Sequence, residues 1–277
     1  MDIEEPLGEG LTRVWSVPEV LADARTAYQH VVIGRTAQGV SLFCDDERQS
    51  TEFSQLVYHE ALLVPALLLA ERVDRVLVIG SSEGVVCRIA VAAGASVVDH
   101  VDIDAEAVRL CAEHLPYGYS PDELAAAERG EGAIRVHYAD GWEFVRSRTG
   151  PYDIVLVDLP DERDGTDAQH NRLYGTEFLQ RCRALLAPGG VVAGQGGCPT
   201  LWRHSTLVRC WRRFTETFRI PVYFGSDEHE WAFFFGSDAD SPEETMARRL
   251  PTLGYRPETI DELSLRGSLV PPISLRR

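Results

Sequence analysis

The stretch Val76-Leu77-Val78-Ile79-Gly80-Ser81-Ser82-Glu83-Gly84 places four apolar residues in a row before a turn of glycine, serine and glutamate. A short apolar run bounded by turn residues fits a buried strand, and the helix-like segment Gly84–Ala93 behind it makes one strand–turn–helix unit. Val97–Ile103, a second apolar run ending in acids, completes a βαβ unit. The alternation then continues through a helix at Ala105–His114, a strand near Ile134–Tyr138, a helix near Gly141–Arg146, a strand at Ile154–Val157, a helix at Glu177–Leu186 and a strand at Val191–Gly194. Tyr117 to Gly132 and Asp238–Glu244, rich in acids and turn formers, read as loops. Such alternation predicts a mostly parallel sheet with helices on both faces, whose ligands sit at the carboxyl ends of the strands.

Upstream, Tyr28–Ile33 and Val40–Cys44 flank Thr36-Ala37-Gln38-Gly39, a hairpin signal with glycine in the turn. Residues 1–55 are therefore expected to form a small β-rich domain, and residues 56–277 the α/β nucleotide-binding domain. From Tyr58 to Arg72 the apolar positions recur at helical spacing, and Pro65 within them predicts a kink or two shorter helices. Downstream, a helix around Thr206–Phe218 and an aromatic strand at Trp231–Phe235 fit antiparallel strands that close the sheet, the Trp202–Phe218 aromatics being read as core.

With 277 residues and 44% hydrophobic content, the chain can bury one large α/β domain plus a small appendage. It carries 43 acidic residues against 27 basic ones, all arginine, for a net charge of -16. Phosphate backbones and anionic membranes call for a basic footprint, so nucleic acid and membrane are disfavoured and cationic ligands favoured. There is no run of 18 apolar residues and Met1–Pro6 is acidic, which reads as a soluble, cytoplasmic protein. Six cysteines lack CxxC spacing and suit buried free thiols rather than disulfides or a metal site.

The turn after the first strand decides the nucleotide. A dinucleotide needs GxGxxG for its pyrophosphate, but Ser82 and Val85 stand at the second and third glycine positions, so a sulfonium nucleoside fits better than NAD. Asp102 lies 22 residues past Gly80, placed to accept ribose hydroxyls. Asp140-Gly141 ends a third strand, where an acid can accept from an adenine amino group while glycine lets backbone approach the ring. The next strand delivers Asp158 and Asp161, with Glu162 beside them. Carboxylates desolvated at a sheet edge require cations or donors as partners.

Together with these features, the run Gln49-Ser50-Thr51-Glu52-Phe53-Ser54-Gln55-Leu56-Val57-Tyr58-His59-Glu60 resembles the entry motif of the spermidine synthase (polyamine aminopropyltransferase) family. The GSSEG turn, Val101-Asp102-Ile103-Asp104, Asp140-Gly141, the gate Asp158-Leu159-Pro160-Asp161, Leu173–Phe178 and Gly194–Cys198 follow in family order, so the resemblance spans about residues 25–235. It implies a class I methyltransferase-like (Rossmann-like) α/β core behind a small N-terminal β-rich domain, in a homodimer or homotetramer. It implies transfer of the aminopropyl group of decarboxylated S-adenosylmethionine to a diamine such as putrescine, without a metal. Gln49, Gly80, Glu83, Asp102, Asp140 and Gly141 would hold the nucleotide, Glu83 along its propylamine chain. Asp158 would accept the proton, Tyr58 and Asp161 would position the attacking amine, and His59 and Glu162 would stand beside it, His59 in a supporting role.

The resemblance is weaker at the acceptor end. Ser81 and Ser82 replace glycines, Glu162 replaces the proline after the gate, Pro160 is unusual within it, and the loop Tyr223–Trp231 lacks the family's Tyr-Pro pair, leaving Tyr223 or Trp231 to supply the aromatic. Two other readings stay open. One is an N-methyltransferase or 3-amino-3-carboxypropyltransferase using intact S-adenosylmethionine, which would need a base near Glu83, where only Arg88 is close in sequence. The other is a non-catalytic nucleotide-binding protein.

Overall fold

The computed structural model describes residues 1–162, 168–200, 204–225 and 230–276. Its N-terminal part is all strand: β1 (Asp2–Gly8), β2 (Leu11–Ser16), β3 (Glu19–Arg25), β4 (His30–Thr36), β5 (Gly39–Cys44) and β6 (Glu47–Thr51). β1 and β2 form a hairpin, and β3 to β6 form an antiparallel meander. Only the β4–β5 hairpin was expected from the sequence. The inward face of β1 alternates Ile3, Glu5 and Leu7, so a buried acid breaks the apolar pattern that would have marked the strand.

The remainder runs α1 (Gln55–Leu69), β7 (Arg75–Gly80), α2 (Val85–Ala92), β8 (Val97–Asp102), α3 (Ala105–His114), α4 (Pro121–Glu128), β9 (Ile134–Tyr138), α5 (Gly141–Ser147), β10 (Tyr152–Asp158), α6 (Thr176–Ala184), β11 (Leu186–Gln195), α7 (His204–Thr217), β12 (Ile220–Gly225), β13 (Ala232–Ser237), α8 (Pro242–Arg249) and α9 (Glu262–Ser268). A seven-stranded sheet has the order β12-β13-β11-β10-β7-β8-β9, with β13 and β12 antiparallel to the parallel rest. Strand order reverses at β7, between β10 and β8, which opens the ligand crevice over the end of β7.

Successive residues of β7 feed opposite faces. Val76 and Val78 join a core with α1 and α2, whereas Leu77 and Ile79 join one that includes Phe144, Phe178 and Phe214. Val31, Ile33, Val40 and Leu42 of the meander pack on Ala107 and Cys111 of α3 and on Leu115 just after it, which seats the N-terminal strands against the sheet's ligand edge. All six cysteines are buried free thiols. No helix among the described residues is long and apolar enough to cross a membrane.

Three expectations are corrected. α1 runs unbroken across Pro65, because every residue from His59 to Leu69 is buried and packing outweighs the missing N–H. The expected loop at Tyr117–Gly132 contains α4, which starts with a capping box at Ser120 and Glu123 and a proline at its first position. The expected loop at Asp238–Glu244 runs into α8. Trp202 and residues 226–229 of the rewritten loop lie outside the described residues.

Candidate active site

The turn from β7 into α2 is shaped by three left-handed residues, Gly80 (φ 81°), Ser81 (φ 63°) and Gly84 (φ 75°). Gly80 is obligatory, because a Cβ there would stand 2.0 Å from the carbonyl oxygen of Asp158. The Ser81 amide donates to that same carbonyl at 3.0 Å, so the nucleotide turn is stitched to the strand end that carries Asp158. Ser81 carries a Cβ in this conformation, a strain of about 1–3 kcal/mol that the surrounding structure offsets. Below the turn His100 is buried, and desolvation pushes its ring down to about 4, so it is neutral. Its Nε2 donates to the Gly80 carbonyl at 2.9 Å and its Nδ1 accepts from the Tyr119 hydroxyl at 3.1 Å.

Over this turn lies a cavity of about 350 Å³. Its walls include Gln49, Tyr58, His59, Gly80, Glu83, Asp102, Asp140, Gly141, Asp158 and Asp161, every expected site residue except Glu162. Glu162 is held instead by Arg213 at 2.9 Å and Arg209 at 3.3 Å on α7. Burial alone would raise its carboxyl, yet the hydrogen bonds and charges of the two arginines bring it below the usual range. It ties the segment just after β10 to α7 and is not on the cavity wall.

The strand-end acids differ in their partners. Asp102 Oδ2 accepts from the Ser82 hydroxyl at 2.7 Å and Oδ1 from the Asp104 amide at 2.8 Å, while burial pushes the carboxyl up to about 6. Asp140 caps α5 through Oδ1, on the amides of Trp142 and Glu143, and its Oδ2 accepts from Gln169 at 3.0 Å and from Arg172. Gln49 donates to the Glu47 carbonyl at 3.2 Å. Glu83 is buried on the wall; its backbone carbonyl accepts from the Tyr119 amide at 2.9 Å, but its carboxylate makes no hydrogen bond or ion pair among the described residues. An unmatched buried carboxylate in a cavity is a seat for a cation.

At the centre, the Tyr58 hydroxyl donates to Asp158 Oδ1 at 2.7 Å. Burial, reinforced by the neighbouring Asp158 charge, holds the Tyr58 phenol well above its ordinary range, so it remains a donor. Burial also raises the Asp158 carboxyl, with the Glu83 charge adding and the Tyr58 hydrogen bond subtracting. A carboxyl raised toward neutrality is a better proton acceptor than a free one. Next to it Asp161 accepts from Gln195 and, at 3.4 Å, from Trp231 Nε1. His59 packs edge-on against Tyr58, with ring centroids 5.3 Å apart.

Several wall residues were missed by sequence reasoning. Gln195 ends β11, so the strand-end rule could have found it. Tyr28 and Gln29, on the β3–β4 turn, are joined to the core where Gln29 and Thr26 donate to Asp104 at 3.0 and 2.6 Å. Glu5 and Arg48 arrive from the N-terminal strands, and no local pattern marks them. Of the two candidate aromatics, Trp231 is on the cavity wall, whereas Tyr223 is buried against Phe234 in the core.

The spermine/spermidine synthase domain model matches residues 55–222. The chain belongs to that family. A polyamine aminopropyltransferase of Synechococcus sp. is 36% identical over 205 residues, which take in 70% of this chain and 62% of that protein. Polyamine aminopropyltransferase 2 of Hyperthermus butylicus is 32% identical over 266 residues, 91% of this chain and 81% of that one. The chain thus spans less than two thirds of the Synechococcus protein and most of the Hyperthermus one. A crystal structure of spermidine synthase in complex with the transition state analogue AdoDATO shares the fold, with a TM-score of 0.86 at 20% identity over 100% of this chain and 94% of that chain. For this spermine/spermidine synthase family member the methyltransferase-like α/β fold behind small N-terminal sheets is therefore established.

Proposed function

We propose that this protein is an aminopropyltransferase that moves the aminopropyl group of decarboxylated S-adenosylmethionine to a diamine such as putrescine. The observation that carries the reading is the Asp158 carboxyl, half-buried and raised by desolvation, held by Tyr58 at 2.7 Å in a cavity walled by further acids. An alkylammonium has a pKa near 10, so it must lose a proton before its lone pair can attack. Asp158 takes that proton, and Tyr58 and Asp161 orient the nitrogen. The new N–C bond forms at the propyl carbon beside sulfur as the S–C bond breaks, its electrons passing to sulfur and leaving the neutral thioether 5′-methylthioadenosine. The positive charge of the sulfonium is lost in that step.

In this reading Gln49, Gly80, Asp102, Asp140 and Gly141 hold the nucleoside, Glu83 the propylammonium, and His59 buttresses Tyr58. A donor with its carboxylate intact would want a cation near Glu83. Arg88 donates to the Gly118 carbonyl at 2.6 Å and is not on the cavity wall, and the arginines that are, Arg48 and Arg172, are paired with Glu230 and Asp140, which supports the decarboxylated donor. The same reading has residues 1–55 as a β-rich domain before a catalytic domain at 56–277, in a homodimer or homotetramer. It places the protein in the cytoplasm, where six free thiols stay reduced. Incubation with putrescine and either donor, followed by mass analysis, tests it: transfer from the intact donor with none from the decarboxylated one would overturn it.

A further inference from the structure

We propose that Arg48 sets the length of the acceptor that this site takes, a specificity role that rests on the aminopropyl-transfer reading above. β6 brings Arg48 onto the cavity wall, with its side chain only 5% exposed. The guanidinium carbon lies 4.8 Å from the centroid of the Trp231 ring and 5.6 Å from that of Trp15, and Nη2 is paired with Glu230. Glu230 also pairs with Arg13, which stands 3.5 Å from Glu5. Glu5 in turn accepts from Trp15 Nε1 at 2.7 Å and from the Arg48 amide at 3.3 Å. Stacking and charge therefore both hold the guanidinium in place, and Glu230 keeps its partners in a left-handed conformation (φ 63°) that a residue with a Cβ adopts only under constraint.

The contacts run in sequence from the chemistry to this cluster. Asp158 is bonded to Tyr58, the Tyr58 ring meets Trp231 edge-on at 6.0 Å, Trp231 reaches Asp161, and the face of Trp231 carries Arg48. An amine held at Asp158 extends along Trp231 toward the guanidinium. A diamine ends short of it, whereas a triamine carries a further ammonium onto a fixed cation. The Nε–H of Arg48 is buried and without a partner among the described residues. It is a donor, and an ammonium, which is also only a donor, cannot satisfy it. Charge and hydrogen-bond chemistry thus both make Arg48 a stop, one that the sequence supplies at the residue just before Gln49.

The test measures kcat/KM for putrescine and for spermidine with saturating decarboxylated donor, in the full-length protein and in R48M, R48A and R48K. The putrescine-to-spermidine ratio is expected to fall by about tenfold or more in R48M and R48A and to change by less than about threefold in R48K, where the charge is kept. An unchanged ratio in R48M and R48A overturns the proposal. Binding of 5′-methylthioadenosine reports whether each variant is folded. Should both truncations lose it, R48Q, which keeps a polar side chain of similar reach without the charge, is expected to lower the ratio, and an unchanged ratio there overturns the proposal equally. A wild-type protein that binds 5′-methylthioadenosine but transfers to neither amine removes the aminopropyl reading itself, whereas transfer with a ratio indifferent to residue 48 removes only the role of Arg48.

Discussion

The carboxyls of Asp158 and Asp102, at the ends of the two strands that flank β7, are both raised by desolvation, yet their partners suit them to different work. Asp158 faces the cavity with a phenol as donor and is free to take a proton. D158N keeps an acceptor for the Tyr58 hydroxyl but cannot be protonated at useful pH. Turnover is expected to fall about 10²- to 10⁴-fold, with 5′-methylthioadenosine affinity within about threefold, as calorimetry would show; unchanged turnover would remove Asp158 as the base. In the proposed reading Asp102 works as an anion for ribose hydroxyls. Its carboxyl sits at about 6 in the free protein, and hydroxyl donors lower it once the nucleoside is bound. Binding therefore favours the ionised form, so affinity is full above about pH 6 and declines by up to about tenfold for each unit below it. Ser82→Ala removes a donor to the anion and is expected to move that midpoint upward. A Kd for 5′-methylthioadenosine that is flat from pH 5 to pH 8 would contradict this account of Asp102.

At the scale of elements, α1 carries Tyr58 and His59 on its first turns and is anchored by the next residue. Glu60 is fully buried and accepts from the Tyr255 hydroxyl at 2.6 Å, the Glu258 and Thr259 amides at 2.8 and 2.7 Å, and the Thr259 hydroxyl at 2.5 Å. Glu60→Ala removes the buried acceptor of all these hydrogen bonds, at a cost of about 2–4 kcal/mol, and the melting temperature is expected to drop by roughly 5–10 °C. A melt shifted by less than a degree would show that the C-terminal segment does not depend on Glu60. Residues 105–114 and 134–138 were legible to the residue, because period and length agreed there with burial. The β1 to β3 strands and α4 were not. β1 hides an inward Glu5, and α4 starts with the same Ser-Pro-Asp-Glu residues that mark a loop. That Glu83, Asp102, Asp140 and Asp158 share one cavity was legible for a topological reason, since each acid stands at or just past the end of a parallel strand and the strand ends converge. The cluster of Arg48, Glu5, Glu230 and Trp231 was not, because these residues are far apart in sequence and meet only through tertiary contacts between the N-terminal strands and the residues just before β13. A rule about neighbours in the chain has no access to such a meeting.

Across the whole molecule, the net charge of -16 and the acid-lined cavity act on the same ligand chemistry. The decarboxylated donor carries a sulfonium and an ammonium, and the product thioether carries neither charge. The field of the molecule should therefore draw the donor in and be indifferent to the thioether product, whose release meets no electrostatic hold, whereas the polyamine product, still a polycation, feels the same attraction as the acceptor. Salt separates this long-range field from short contacts: between 0.1 M and 1 M the screening length shrinks from about 10 Å to about 3 Å. Over that range the donor's association rate is expected to fall by about fivefold or more, with 5′-methylthioadenosine changing by less than about twofold. Stopped-flow tryptophan fluorescence, reporting through Trp231 on the cavity wall, would follow both ligands in one protein. Equal salt dependence for the two would mean that the surface acids serve solubility alone, and that the donor is gathered by Glu83 and its neighbours only after it has already entered.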